Sequence, residues 1–304
     1  MMLISSPRFQ EHTTPPGHPE RPERAEVFDQ VAADWQDAGG RVAAPRAATR
    51  EELLRVHDAA HVDAMAATSG RAVMLDPDTF TSPESYEIAL LAAGAAVQAA
   101  EHALATGETA YALVRPPGHH AERDRAMGFC LFNNVAVAAA AAVARGLTRV
   151  AVVDIDVHHG NGTQWIFYDD ARVLYVSTHQ FPFYPGTGAA SETGTGKGTG
   201  FTLNLPLAAG ATDADYAAAY ATVVARLHQF RPELLLVSAG FDAHQDDPLA
   251  SMRVTTAGYG AIVTALRDAA ASAGCPMALV TEGGYDLAAL RDCLMATLNV
   301  LRAR

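Results

Sequence analysis

Short apolar runs recur along this chain, and longer alanine-rich stretches lie around and between them. The runs fall at residues 110–114, 150–155, 173–176, 203–205, 234–237 and 278–280. Several are continuous rather than alternating, as expected for parallel strands covered on both faces. The stretches at 84–105, 133–145, 213–230, 255–273 and 287–301 have helix-forming composition. Strand and helix in alternation predict one α/β domain over residues 1–304, a mostly parallel sheet flanked by helices. No repeat or linker divides it, and 186–200 reads equally well as a flexible Gly/Thr-rich connection or a functional loop.

Four run ends carry chemistry. Run 110–114 leads into RPPGHH, 150–155 into DVHHGNG, 234–237 into SAGFDAH and 278–280 into TEGGYD. Open α/β sheets build their sites beyond the carboxyl ends of strands. Histidines, aspartates and a tyrosine beside glycines at four such ends define a candidate site.

Composition narrows the function classes. A net charge of −12 argues against nucleic acid, whose binders cluster Lys and Arg, and suits a cationic substrate better. The most apolar stretch, 135–144, has about half the length a bilayer crossing needs, so no membrane association is expected. The start, MMLISSPRF, lacks the basic region and apolar run of a secretory leader. Cys130, Cys275 and Cys293 are odd in number and far apart, which predicts neither a disulfide framework nor a cysteine-based zinc site. A reducing cytoplasm is the expected location.

In VDIDVHHG, Asp154, Asp156 and His158 are spaced by two, which a strand would turn to one face. Charges at the end of an apolar run need a partner or a metal. Asp156 and His158 are the natural ligands, with Asp242 arriving from a neighbouring strand end. Three protein ligands leave the open fourth position of a catalytic zinc. Helix caps and core hydrogen bonds explain a lone Asp-x-His better, but not one joined by GFDAH and paired histidines. The two carboxylates also suit ferrous iron. An arginase-like manganese pair would draw on Asp246 and Asp247, and needs more ligands near Asp154–His158 than the sequence offers.

From HPERPER (residues 18–24) through RPPGHHA, GFCLFNN, DIDVHHGNGTQ, PGTG and SAGFDAH to TEGGY, the chain resembles the histone deacetylase superfamily. That superfamily includes acetylpolyamine amidohydrolases and acetoin-utilisation proteins. HPERPER and HHGNGTQ are closer to class II enzymes and their bacterial relatives. The resemblance implies the arginase/deacetylase fold and a zinc-dependent deacylase, with zinc on Asp156, His158 and Asp242. His119 and His120 become the tandem active-site histidines and Tyr285 the carbonyl-polarising residue. Asp154 becomes the carboxylate behind His119 and, with Ser177, a ligand of a structural potassium ion. Asn161 stands where class I enzymes have an aspartate behind the second histidine, so His120 should be less basic here. Gly128, Phe129 and Tyr184 match the acyl-lysine tunnel, Asp78 its rim carboxylate, and Arg24 the arginine of the acetate-release channel.

The chemistry implied is metal-assisted amide hydrolysis. His120 serves as base and then acid, His119 as its electrostatic partner, and Tyr285 as oxyanion donor with Gly283 and Gly284 allowing close approach. The expected substrate is an acylated lysine peptide or protein. An acylated polyamine is the alternative, against which Leu249 stands where one polyamine-selective relative carries a glutamate. A catalytically silent acyl-lysine reader is the third reading, opposed by the intact ligand set and Tyr285.

Overall fold

The computed structural model describes residues 1–302. The strands are β1 (Met2–Ile4), β2 (Arg41–Ala43), β3 (Val73–Met74), β4 (Phe80–Thr81), β5 (Ala110–Ala112), β6 (Val150–Asp154), β7 (Val173–Gln180), β8 (Thr202–Leu207), β9 (Leu234–Ala239) and β10 (Met277–Thr281). The helices are α1 (Glu23–Asp37), α2 (Arg50–Leu53), α3 (Ala59–Ala66), α4 (Ser85–Thr106), α5 (Asn134–Ala144), α6 (Asn161–Ile166), α7 (Asp213–Phe230), α8 (Thr256–Ala273) and α9 (Leu287–Arg302). Eight strands form one sheet in the order β2-β1-β5-β10-β9-β6-β7-β8, with every pair parallel. Strands β3 and β4 make a separate antiparallel hairpin.

Every residue of β6, β7, β9 and β10 is buried, because helices cover the sheet, and this explains their unbroken apolar sequences. Register places Asp154 opposite Ser177 on one side and Ser238 on the other. The central strands therefore end together and open into one crevice. Local signals set the helix ends. Asn133 caps α5 by accepting from Ala136 N at 3.0 Å, and Thr255 caps α8 by accepting from Gly258 N at 3.0 Å. Gly274 stops α8 with a left-handed φ of 64°.

One expectation needs adjustment. Helix α4, not residues 135–144, is the apolar segment long enough to cross a membrane. Its apolar residues have another destination: 61% of its most apolar window is buried, and it packs on α5, β5 and β10. A helix that is apolar over most of its surface is also what a core position produces.

Candidate active site

Strand β6 ends at Asp154, so its pleat cannot orient the residues beyond. Successive turns do so instead. Asp156 N donates to Asp154 Oδ1 at 3.2 Å, and His158 N to Asp156 Oδ1 at 2.9 Å. Asp242 follows β9, and its Oδ1 accepts from Val157 N at 2.8 Å. Gly283 follows β10 and donates to Asp156 Oδ2 at 2.9 Å. Three strand ends thus lock two carboxylates and an imidazole together. Ligand atoms of Asp156, His158 and Asp242 lie within 4.8 Å of one another, all buried. His158 Nδ1 is 3.1 Å from Asp156 Oδ1 and 3.0 Å from Asp242 Oδ2. Any Cβ at Gly240 or Gly283 would overlap these carboxylates, so the glycines make the space.

The electrostatics call for a cation. Burial, reinforced by the charge of Asp156, pushes the Asp242 carboxyl up to about 7. Burial opposes a charged His158, yet hydrogen bonds to Asp156 and Asp242 outweigh it and raise the imidazole to about 10. Burial likewise opposes a charged Asp156, but His119 and His158 hold it below the usual carboxylate range. A site that keeps protons between facing carboxylates fits a divalent ion in their place. Among the described residues this is the one such group of three or more. Asp247 belongs to no such group; its carboxylate holds a turn, accepting from Leu249 N, Tyr285 N and Asp286 N.

The RPPGHH turn brings two histidines beside this centre. His119 Nδ1 lies 3.0 Å from Asp154 Oδ2, and its Nε2 lies 3.8 Å from Asp156 Oδ1. Burial disfavours its charged form, but Asp154 and Asp156 prevail and hold it well above the ordinary histidine value. His120 differs. Burial and the neighbouring charges of His119 and His158 hold it well below that value, and its Nδ1 meets the neutral Asn161 Oδ1 at 2.7 Å. The expected weaker basicity of His120 accords with this pairing.

Tyr285 stands opposite. Its backbone N donates to Asp247 Oδ2 at 2.6 Å, and its ring packs edge-on to Phe129, centroids 5.8 Å apart. The buried Arg24 guanidinium lies over the other side, 5.1 Å from the ring centroid. Arg24 also donates to Gly284 O, Glu282 O and Glu20, so each guanidinium nitrogen has a protein acceptor. It braces the Tyr285 turn.

Asp78, Gly128, Phe129, Tyr184 and Leu249 line a narrow cavity of about 80 Å³ with His120, His158 and Tyr285 at its wall and floor. All five expected substrate-contacting residues are therefore together. Gly128 and Phe129 both have left-handed φ, 56° and 69°, and a Cβ at Gly128 would come within 2.5 Å of the His120 ring. Phe129 N is held by Thr79 Oγ1 at 3.0 Å, and His18 Nε2 by the Asp78 carbonyl at 3.0 Å. His18 of HPERPER thus props up the tunnel rim.

Ser177 lies outside the cavity, its Oγ donating to His179 Nδ1 at 2.8 Å. The Asp154 carboxylate is taken by His119, Asp156 N and the Tyr175 hydroxyl. The hydrogen bonds of these two side chains lend the expected potassium ion no support. The loop 186–200 is tethered rather than loose. Glu192 accepts from Gln164 Nε2 at 2.6 Å and Gly188 N at 3.0 Å, and His159 meets Thr187 Oγ1 at 2.8 Å.

Glu282 is a buried carboxylate beside the site that sequence reasoning missed. Its Oε2 accepts from Gly118 N at 2.6 Å and His119 N at 3.1 Å, and its Oε1 from Ser238 Oγ at 2.8 Å. The signal was available: a glutamate closing an apolar run needs partners. Glu282→Ala is expected to destabilise the protein by about 2–4 kcal/mol, since each orphaned buried N–H costs about 1–3 kcal/mol. An unchanged urea midpoint would show that the clamp contributes nothing.

Comparison with known proteins agrees with this geometry. The model of the histone deacetylase domain matches residues 18–301. A histone deacetylase-like amidohydrolase of Pseudomonas aeruginosa is 46% identical over 84% of this chain and 68% of that protein. A probable deacetylase of Archaeoglobus fulgidus is 38% identical over 94% of this chain and 81% of its own length. Histone deacetylase 15 of Arabidopsis thaliana is 43% identical over 93% of this chain, which spans about half of that longer protein (52%). The crystal structure of the HDA15 HD domain superposes with a TM-score of 0.94 at 39% identity, over 100% of this chain and 91% of that one. With the arginase/deacetylase fold, the Asp-His-Asp cluster and the domain match in agreement, the chain belongs to the histone deacetylase superfamily.

Proposed function

We propose that the protein is a zinc-dependent deacetylase acting on the ε-amine of acetylated lysine in peptides or proteins, in a reducing cytoplasm. The carrying observation is one cavity lined by His120, His158 and Tyr285, which His158 joins to the buried cluster it forms with Asp156 and Asp242. Three free, buried cysteines suit the compartment. Zinc held by Asp156, His158 and Asp242 would supply Lewis acidity to the amide carbonyl and acidity to the attacking water; ferrous iron fits the same donors.

The chain supplies the rest. His120, kept neutral, takes the proton from water and returns one to the departing amine. His119 stays charged beside Asp154 and stabilises negative charge building nearby. Tyr285 donates its hydroxyl to the carbonyl oxygen. Phe129 and Tyr184 offer apolar surface to the methylene chain, and Asp78 offers acceptors to backbone amides at the rim.

Acyl-lysine and acylated polyamines share the methylene chain, so discrimination falls to the rim. Leu249 gives a second ammonium no partner and adds a desolvation cost. Acetyl-lysine peptides are therefore expected to exceed acetylputrescine and acetylspermidine in kcat/KM. Leu249→Glu should shift the balance toward polyamines, and Asp78→Ala should hurt peptides more. A wild-type preference for acetylpolyamines would overturn the peptide assignment.

A further inference from the structure

His119 and His120 have unlike partners, and the partner of His120 is ambiguous in a way a carboxylate is not. Asn161 can present either its oxygen or its NH2 to an imidazole. With the oxygen presented, Nδ1 carries the proton and Nε2 keeps the lone pair that a base needs. With the NH2 presented, Nδ1 must accept and Nε2 carries the proton, which disables the base. Something must choose between these states.

The choice is made on the far side of the amide. Asn161 Nδ2 lies 2.7 Å from Glu122 Oε1, and 3.4 Å from both the His120 carbonyl and Met127 Sδ. All three only accept, and of them Glu122 alone is charged. Asn161 Oδ1 lies 2.7 Å from His120 Nδ1, which must then be the donor. Glu122 is itself placed firmly. Its N donates to Arg125 O at 2.9 Å, its carbonyl accepts from His57 Nδ1 at 2.8 Å, and Arg125 lies 3.1 Å from its carboxylate. The side chain is only 19% exposed, so its charge acts through little water. His57 is held in turn, its Nε2 accepting from Asn133 N at 3.0 Å.

We infer that Glu122 is a positioning residue: its carboxylate orients the Asn161 amide and thereby fixes the Nδ1–H tautomer of His120. The Nε2 lone pair then faces the cavity. This rests on the reading of His120 as the base, and extends it by one residue that the reacting atoms never touch. The negative charge sits one side chain further from the imidazole than a direct carboxylate would, so it selects the tautomer without pairing with the ring.

Nitrogen-15 spectra of histidine-labelled, zinc-loaded protein test this directly, because the two ring nitrogens report which one is protonated. The His120 signals are identified by their loss in His120→Gln. Wild type is expected to show Nδ1–H. Glu122→Ala should show a mixture or Nε2–H, whereas Glu122→Gln, whose amide oxygen can still face Asn161, should keep Nδ1–H. Should the alanine variant fail to fold, Glu122→Leu supplies the same reading. In turnover, Glu122→Ala is expected to lower kcat by about tenfold with KM unchanged, a fraction of what a general base contributes. Within an Asn161→Asp background, where no amide can flip, removing Glu122 should cause no such loss. An unaltered tautomer in Glu122→Ala, or equal kcat losses in both backgrounds, would overturn the inference. If wild type turns over no acetylated substrate, the functional reading fails while the spectra still decide this one.

Discussion

Removing the metal with a chelator is expected to abolish turnover, and zinc or ferrous iron should restore it. The argument begins with the cost of the bare cluster. Asp156 and Asp242 are fully buried and His158 nearly so, and burial, reinforced by the charge of Asp156, pushes the Asp242 carboxyl up to about 7. That pair is offset by protons, the one His158 shares with both carboxylates among them, and by His119. A divalent ion replaces those protons, so loading should release them, and apparent affinity should rise as pH rises. Elemental analysis should find one tightly bound ion per chain, since Asp156, His158 and Asp242 are the one such group among the described residues. Two ions per chain would favour an arginase-like centre, and full activity without any would remove the basis of the mechanism.

Much of this site could be read in advance because its residues follow apolar runs directly. The runs at 150–155, 234–237 and 278–280 became β6, β9 and β10 to within two residues at either end, so the motifs after them had to meet beyond the sheet. Residues 213–230 are α7, end to end. Strands β1 and β2 were invisible, at three residues each, too short for any period to register. Pairing at long range was equally hidden. Arg115 meets Glu20 across 95 residues, and Arg24 reaches Glu282 O across 258. In sequence these are ordinary charges; in the fold they are the buried frame under Tyr285. The loop 186–200 left two readings open for a related reason. Its glycines describe a flexible chain, and only the distant Gln164 and His159 reveal that it is tied down.

Tyr285→Phe is expected to lower kcat by about 10²–10³ while KM changes little, the usual consequence of deleting one oxyanion donor. The ring would stay where it is. Arg24 lies over it at 5.1 Å, Phe129 meets it edge-on, and its backbone amide is fastened to Asp247; none of these contacts involves the hydroxyl. Among the described residues the hydroxyl makes no hydrogen bond to protein, so its removal strands no partner. Burial, ahead of any neighbouring charge, pushes the phenol well above its ordinary value, so at neutral pH it remains a donor. The donor is therefore preorganised, and the energy of its hydrogen bond is realised as charge collects on the carbonyl oxygen. Ground-state binding, which rests on Phe129, Tyr184 and the rim, should survive, as should metal content and thermal stability. A phenylalanine variant that keeps most of its turnover would assign the oxyanion to another group, and a large rise in KM at constant kcat would make Tyr285 a binding residue instead.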